Sequence, residues 1–165
     1  MVPAARDQMA RARSLHLCHS ASRSRRGEGG PVNTRTRVLL VESEREGRET
    51  LASWIEAAGY DVTVCPGPSA PTYVCIGDRT GACPLVDDAD VIVLDCRIDN
   101  DLMDGTSAAD LLSLYVSCGH PVIALGSSGL AGLFEEDDVV FLDEGPPGHG
   151  LVETIDELAV REWPT

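Results

Sequence analysis

Apolar residues along this chain gather in short uninterrupted runs, each followed by a mixed polar stretch. The runs lie in RVLLVES (37–43), YDVTVC (60–65), DVIVLDC (90–96), PVIALGS (121–127) and VVFLDE (139–144). Apolar runs of this length, bounded by polar or Gly/Pro residues, predict buried strands. The stretches between them change period. After the first run, Leu51, Trp54, Ile55 and Ala58 fall at i, i+3, i+4 and i+7, one apolar helical face, and Gly59 stands at the stop. After the third, Ala108, Leu111, Leu112 and Tyr115 share a face that ends at Gly119. Thr106 or Ser107 suits the N-cap, and Asp110, three beyond Ser107, completes a capping box. SGLAGLFEEDD after the fourth run has room for one or two turns. The last helix is predicted in GLVETIDELAVREW, with Leu151, Ile155, Leu158 and Ala159 on one side.

The segment 66–88 breaks this rhythm. It holds four Pro, three Gly and two Cys, and no helical face runs through it. It reads as a loop, with room for one short strand at TYVCI (72–76). Near-continuous apolar strands alternating with helical faces predict an α/β domain, an open parallel sheet covered on both sides. Right-handed crossovers place every strand's C-terminal end on one edge, where ligands of such sheets bind.

Acidic and small polar residues collect at that edge. Glu42, Ser43 and Glu44 end the first strand, Asp95 the third, Gly126, Ser127 and Ser128 the fourth, and Asp143 and Glu144 the fifth. If the first and third strands are neighbours, Glu42 and Asp95 face each other. Two carboxylates that close repel unless a proton or cation lies between them. Oxygen ligands of this kind suit Mg²⁺. Asp95 can then serve as a nucleophile toward a phosphoryl donor. The alternative is a solvated acidic edge with no chemistry.

The pieces VLLVESE, VIVLD, MDG (Met103, Asp104, Gly105) and PVIAL, in this order, resemble the receiver domain of bacterial two-component response regulators. The resemblance covers about residues 38–160 and implies a three-layer flavodoxin-like fold with strand order 2-1-3-4-5. It implies Asp95 as phosphoacceptor. It implies Mg²⁺ held by Glu42, with Ser43 or Glu44 in the place of a second acid, by Asp95, and by the backbone carbonyl of Arg97. Ser127, or Gly126 before it, takes the place of the hydroxyl residue that contacts the phosphoryl group. It further implies a kinase or downstream effector as partner. Three departures stand against it. Gly126 sits where the family has Thr or Ser, the chain has no Lys to follow the fifth strand, and the Cys/Pro/Gly loop replaces the second helix. A missing cation beside a phosphoryl group removes a charge-assisted contact of about 1.5–3 kcal/mol.

Cys65, Cys75 and Cys83 flank or lie within the irregular segment. Three thiolates can hold Zn²⁺ or part of an iron–sulfur cluster, given a fourth ligand such as His120 or His149, although the spacing is not that of a zinc finger. Metal binding would explain how coil replaces a helix. A Cys75–Cys83 disulfide and simple burial as small hydrophobes are the alternatives. Cys96 and Cys118 read as core, as do Trp54 and Tyr115. Arg79 reads as a surface ion-pair residue, and His16, Cys18 and His19 as part of an exposed tail.

Charge divides the chain. Residues 1–37 hold eight Arg against Asp7 and Glu28, a net of +6, and the remainder holds five Arg against 25 acids, a net of −20. Residues 1–36 read as a basic tail without fixed structure, and 37–165 as the domain. An acidic body repels nucleic acid. No apolar stretch suits a membrane span or a signal peptide, which reads as a cytoplasmic protein. The expected function is a stand-alone atypical receiver-like signalling domain that acts by protein contact, including self-association, with no DNA-binding domain following. The alternative is a metal- or redox-responsive module built on the cysteines. An enzyme of flavodoxin-like or cobalamin-binding type would want a Gly/Ser/Thr-rich phosphate cradle, and the first turn is ESEREG.

Overall fold

The computed structural model describes residues 35–68, 75–97, 107–126, 129–134, 138–142 and 149–160. Five parallel strands, β1 (Arg37–Val41), β2 (Asp61–Cys65), β3 (Val91–Asp95), β4 (Val122–Leu125) and β5 (Val139–Leu142), form one sheet in the order β2-β1-β3-β4-β5. This is the expected order. The strands are shorter than the apolar runs suggest, because ladder pairing stops where the polar residues begin. β1 ends at Val41 and β5 at Leu142.

Strand alternation divides the core into two clusters. Leu39, Val41, Ile92 and Leu94 face α4 (Ala108–Ser117), meeting Ala108, Leu111, Leu112 and Tyr115. Val38, Leu40, Val91 and Val93 face α1 (Arg45–Ala57) and α5 (His149–Ala159), meeting Leu51, Ile55, Leu151, Ile155 and Leu158. The predicted helical faces are therefore the buried ones, except that Ala58 falls at the C-cap of α1 and is exposed. Burying each such aliphatic side chain is worth about 1.5–3 kcal/mol. Ser107 caps α4 in a reciprocal box with Asp110. α1 stops at Gly59, whose φ of 100° is open to glycine and strained for other residues. Cys96 packs with Leu94 as expected, and Trp54 is half-buried against the second cluster.

The segment between β2 and β3 differs from the expected loop. It contains two short helices, α2 (Ile76–Thr80) and α3 (Pro84–Asp87). Cys75 and Ile76 are the N-cap and first residue of α2, so no strand extends through them. The residues that read as breakers act as punctuation. Gly81 ends α2 in the left-handed conformation, and Pro84 starts α3, where its missing N–H costs nothing. A 3-10 turn, Ala131–Leu133, occupies the short segment after β4. Residues 1–34, which make up most of the expected basic tail, lie outside the described residues, as do Met103, Asp104, Gly105, Ser127, Asp143 and Glu144.

Candidate functional site at the ends of β1 and β3

The register places Val41 opposite Leu94, so Glu42 and Asp95 are the next pair at the C-terminal edge. Both are carried inward by the strands that precede them: Glu42 is 2% exposed and Asp95 0%. They are the buried charged residues among those described. Removing two carboxylates from water is costly unless each finds a partner.

The partners come from loops next in sequence. The Glu44 N–H donates to Glu42 Oε1 at 2.7 Å. Arg48, one turn into α1, donates to the carbonyls of Glu42 (2.8 Å) and Ser43 (3.2 Å), which pins the β1–α1 turn. Glu44, one candidate for a second acid, instead caps α1 by accepting from the Gly47 N–H. Gly47 lies against this turn: a Cβ there would be 3.1 Å from Glu44 Oε2 and 3.5 Å from Glu42 Oε2.

Arg97 does more than the sequence suggests. Its backbone N–H donates to Asp95 Oδ1 at 2.8 Å, and its Nε lies 2.9 Å from Oδ1 and 3.0 Å from Oδ2. Its Nη2 donates to Asp95 Oδ2 and also lies 3.7 Å from Glu42 Oε2. One guanidinium nitrogen thus reaches both buried acids. Glu42 Oε2 accepts no hydrogen bond and has only this longer ionic contact on that side. The Arg97 side chain itself is 63% exposed, so its charge stays hydrated while its fork points inward.

This arrangement sets the two carboxyls apart. Burial, with the adjacent Asp95 second, pushes Glu42 up to about 7. Burial also pushes Asp95 up, but hydrogen bonds from Arg97 and the contact with Glu42 outweigh it and hold Asp95 below its ordinary value. The pair therefore keeps Asp95 ionised and makes Glu42 the place where a proton resides.

Of the other sequence-predicted residues, Gly126 stands at the same edge in a left-handed conformation, and its N–H is used by the Leu142 carbonyl at 3.1 Å. Cys65, Cys75 and Cys83 are thiols that line one cavity of about 140 Å³ together with Leu39, Leu111 and Tyr115. That cavity lies on the α4 face, under α2 and α3. No group of three or more His, Cys, Asp or Glu is placed to hold a metal ion among the described residues. Burial pushes the Cys83 thiol up. Sequence reasoning found Glu42 and Asp95 but missed the Arg97 side chain. The available signal was its place two residues after a buried acid, in a body with five Arg and no Lys.

No family model matches the chain, and no curated protein does. Solved structures do. A CheY-like response regulator receiver domain from Methanospirillum hungatei JF-1 matches with a TM-score of 0.56 at 14% identity, over 76% of this chain and 94% of that one. Response regulator protein TrrA from Thermotoga maritima, solved in complex with Mg(2+)-BeF, matches with a TM-score of 0.53 at 17% identity, over 74% and 98%. An adenylate cyclase from Rhodopirellula baltica matches with a TM-score of 0.51 at 21% identity, over 76% and 87%. The chain has the receiver-domain fold.

Proposed function

We propose that this chain is a receiver-like signalling domain in which Asp95 is the phosphoacceptor and output passes through protein contact. The observation that carries this reading is the convergence of Glu42 and Asp95, buried and side by side, at the C-terminal edge of adjacent strands. Buried acids are expensive, and a fold that keeps two of them together at its ligand-binding edge favours use over accident.

The residues suit a hard divalent cation. The donors are carboxylate oxygens of Glu42 and Asp95 and the carbonyl of Arg97, and Glu42 Oε2 has no hydrogen bond to lose. Mg²⁺ held by these three would neutralise charge on phosphoryl oxygens. The chain's own part is to hold Asp95 ionised, so that one carboxylate oxygen can bond to phosphorus as the donor's leaving group departs. Ser127 is the candidate phosphoryl contact beside Gly126, whose N–H is already engaged. TrrA, a protein of the same fold solved in complex with Mg(2+)-BeF, supports these two ligands as ones the fold can take. The partners of this reading are a kinase or phosphodonor, a downstream protein effector and a second copy of the chain. A cytoplasmic location accords with it, and no helix among the described residues is long and apolar enough to cross a membrane.

The test is incubation of the whole chain with a small-molecule phosphodonor and Mg²⁺, followed by intact mass. A single phosphate adduct is expected, absent in Asp95→Asn. Equal adducts in both proteins would remove Asp95 as the acceptor.

A second reading, a metal- or redox-responsive module, draws on the common cavity of Cys65, Cys75 and Cys83; the redox form is the one the cavity favours, since the three thiols are not grouped to hold an ion. Near-stoichiometric Zn or Fe in protein purified without added metal would support its metal form, and metal-free protein would remove that form.

A further inference from the structure

We infer that the Arg97 side chain is a built-in counter-cation for the Glu42–Asp95 pair, and that it must swing out before a divalent ion can enter. The inference rests on the proposed metal and acceptor role of these acids and adds the gate. Its basis is geometric. A single guanidinium nitrogen contacts Asp95 Oδ2 and Glu42 Oε2, one oxygen of each buried acid. The guanidinium is anchored to Asp95 through Nε as well, in the bidentate form that arginine makes with carboxylates. Glu42 Oε2 is buried, no N–H or O–H donor of the surrounding described residues reaches it, and the Arg97 guanidinium is the positive charge beside it.

The rest of the residue permits movement. The side chain is 63% exposed, and its contacts to Glu42 and Asp95 are polar and at the surface side of the pair. Its backbone N–H remains on Asp95 Oδ1 whichever way the side chain points, which keeps the turn after β3 in place. The chain would then hold its acidic pocket assembled in the absence of metal. Two cations cannot share the space between two carboxylates without strong repulsion, so guanidinium and Mg²⁺ exclude one another.

The experiment is calorimetric titration of Mg²⁺ into the full chain, its Arg97→Ala and Arg97→Lys variants and Asp95→Asn, with thermal melts of each protein with and without Mg²⁺. Arg97→Ala should bind Mg²⁺ at least tenfold more tightly than the parent, and Arg97→Lys, which keeps charge but loses the planar fork, should fall between them. Without Mg²⁺ the Arg97→Ala protein should melt below the parent, and Mg²⁺ should raise its midpoint more than the parent's. Equal Mg²⁺ affinity in parent and Arg97→Ala, with binding lost in Asp95→Asn, would overturn the gate and leave the metal site standing. Indistinguishable titrations for all four proteins would overturn both. Should Arg97→Ala fail to fold, the comparison of Arg97→Lys with the parent decides: no gain in affinity overturns the gate.

Discussion

Glu42 and Asp95 are alike in chemistry and burial, yet their surroundings send them in opposite directions. The sign of each shift gives a stability prediction. Burial and the adjacent Asp95 raise Glu42 to about 7. A carboxyl raised in this way favours folding while protonated, and that contribution is lost as pH climbs through its folded value. Asp95 has the opposite sign. Burial opposes its ionisation, but the hydrogen bonds from Arg97 and the contact with Glu42 lower it overall. Its contribution is present above the ordinary aspartate range and is lost on acidification. The urea midpoint should therefore fall between about pH 5 and pH 8, the window in which Glu42 ionises. Glu42→Gln cannot ionise and should flatten that decline. An unchanged slope in the variant would place the proton elsewhere. These two acids were legible in the sequence because each directly follows a buried apolar run and the ends of neighbouring parallel strands share an edge. The guanidinium between them was not, because a side chain two residues past a strand can turn either way and only packing decides.

At the scale of elements, the helices that follow a clean period match their sequence faces, and the segment 66–88 does not. α2 and α3 are five and four residues long, too short for a repeat of apolar positions to show. Their stops and starts were visible, as Gly81 and Pro84, but read as breakers rather than caps. Close packing holds them down. A Cβ on Gly77 would lie 3.3 Å from Cys83 Cβ and 3.3 Å from Leu114 Cδ2, tighter than such contacts tolerate without adjustment. Gly77→Ala should thus cost about 1–3 kcal/mol in a denaturation curve, as overpacking does. No loss would mean that α2 can shift away from α4 freely. The capping box of α4 was read directly, since Ser107 and Asp110 have the right spacing and the following run is apolar. Ser107→Ala should destabilise the chain by about 1 kcal/mol, measurable by the same curve, and Ser107→Asp should largely restore it.

For the whole molecule, layer order follows from alternation along five strands. Neighbouring residues such as Leu39 and Leu40 belong to different clusters, so each strand serves two cores at once. Ile155 on α5 meets the second cluster, and Ile155→Ala should cost about 2–5 kcal/mol in chemical unfolding. A loss below that range would show that α5 is not docked where the sheet places it. Strand count and parallel class were legible because β1, β3 and β4 are apolar on both faces, whereas the edge strand β2, with Asp61 and Thr63, is largely exposed. Strand order was implied by resemblance rather than periodicity, since no local pattern tells β1 which strand lies on either side.

The most direct test of the central claim, that Asp95 and Glu42 form a cation-dependent acceptor pocket, is ¹⁹F NMR of beryllofluoride, an acyl-phosphate mimic, added to the chain with Mg²⁺. The account predicts a protein-bound fluoride resonance that requires Mg²⁺, vanishes in Asp95→Asn and strengthens in Arg97→Ala. A parent spectrum identical to that of Asp95→Asn, with free beryllofluoride alone in both, would contradict it.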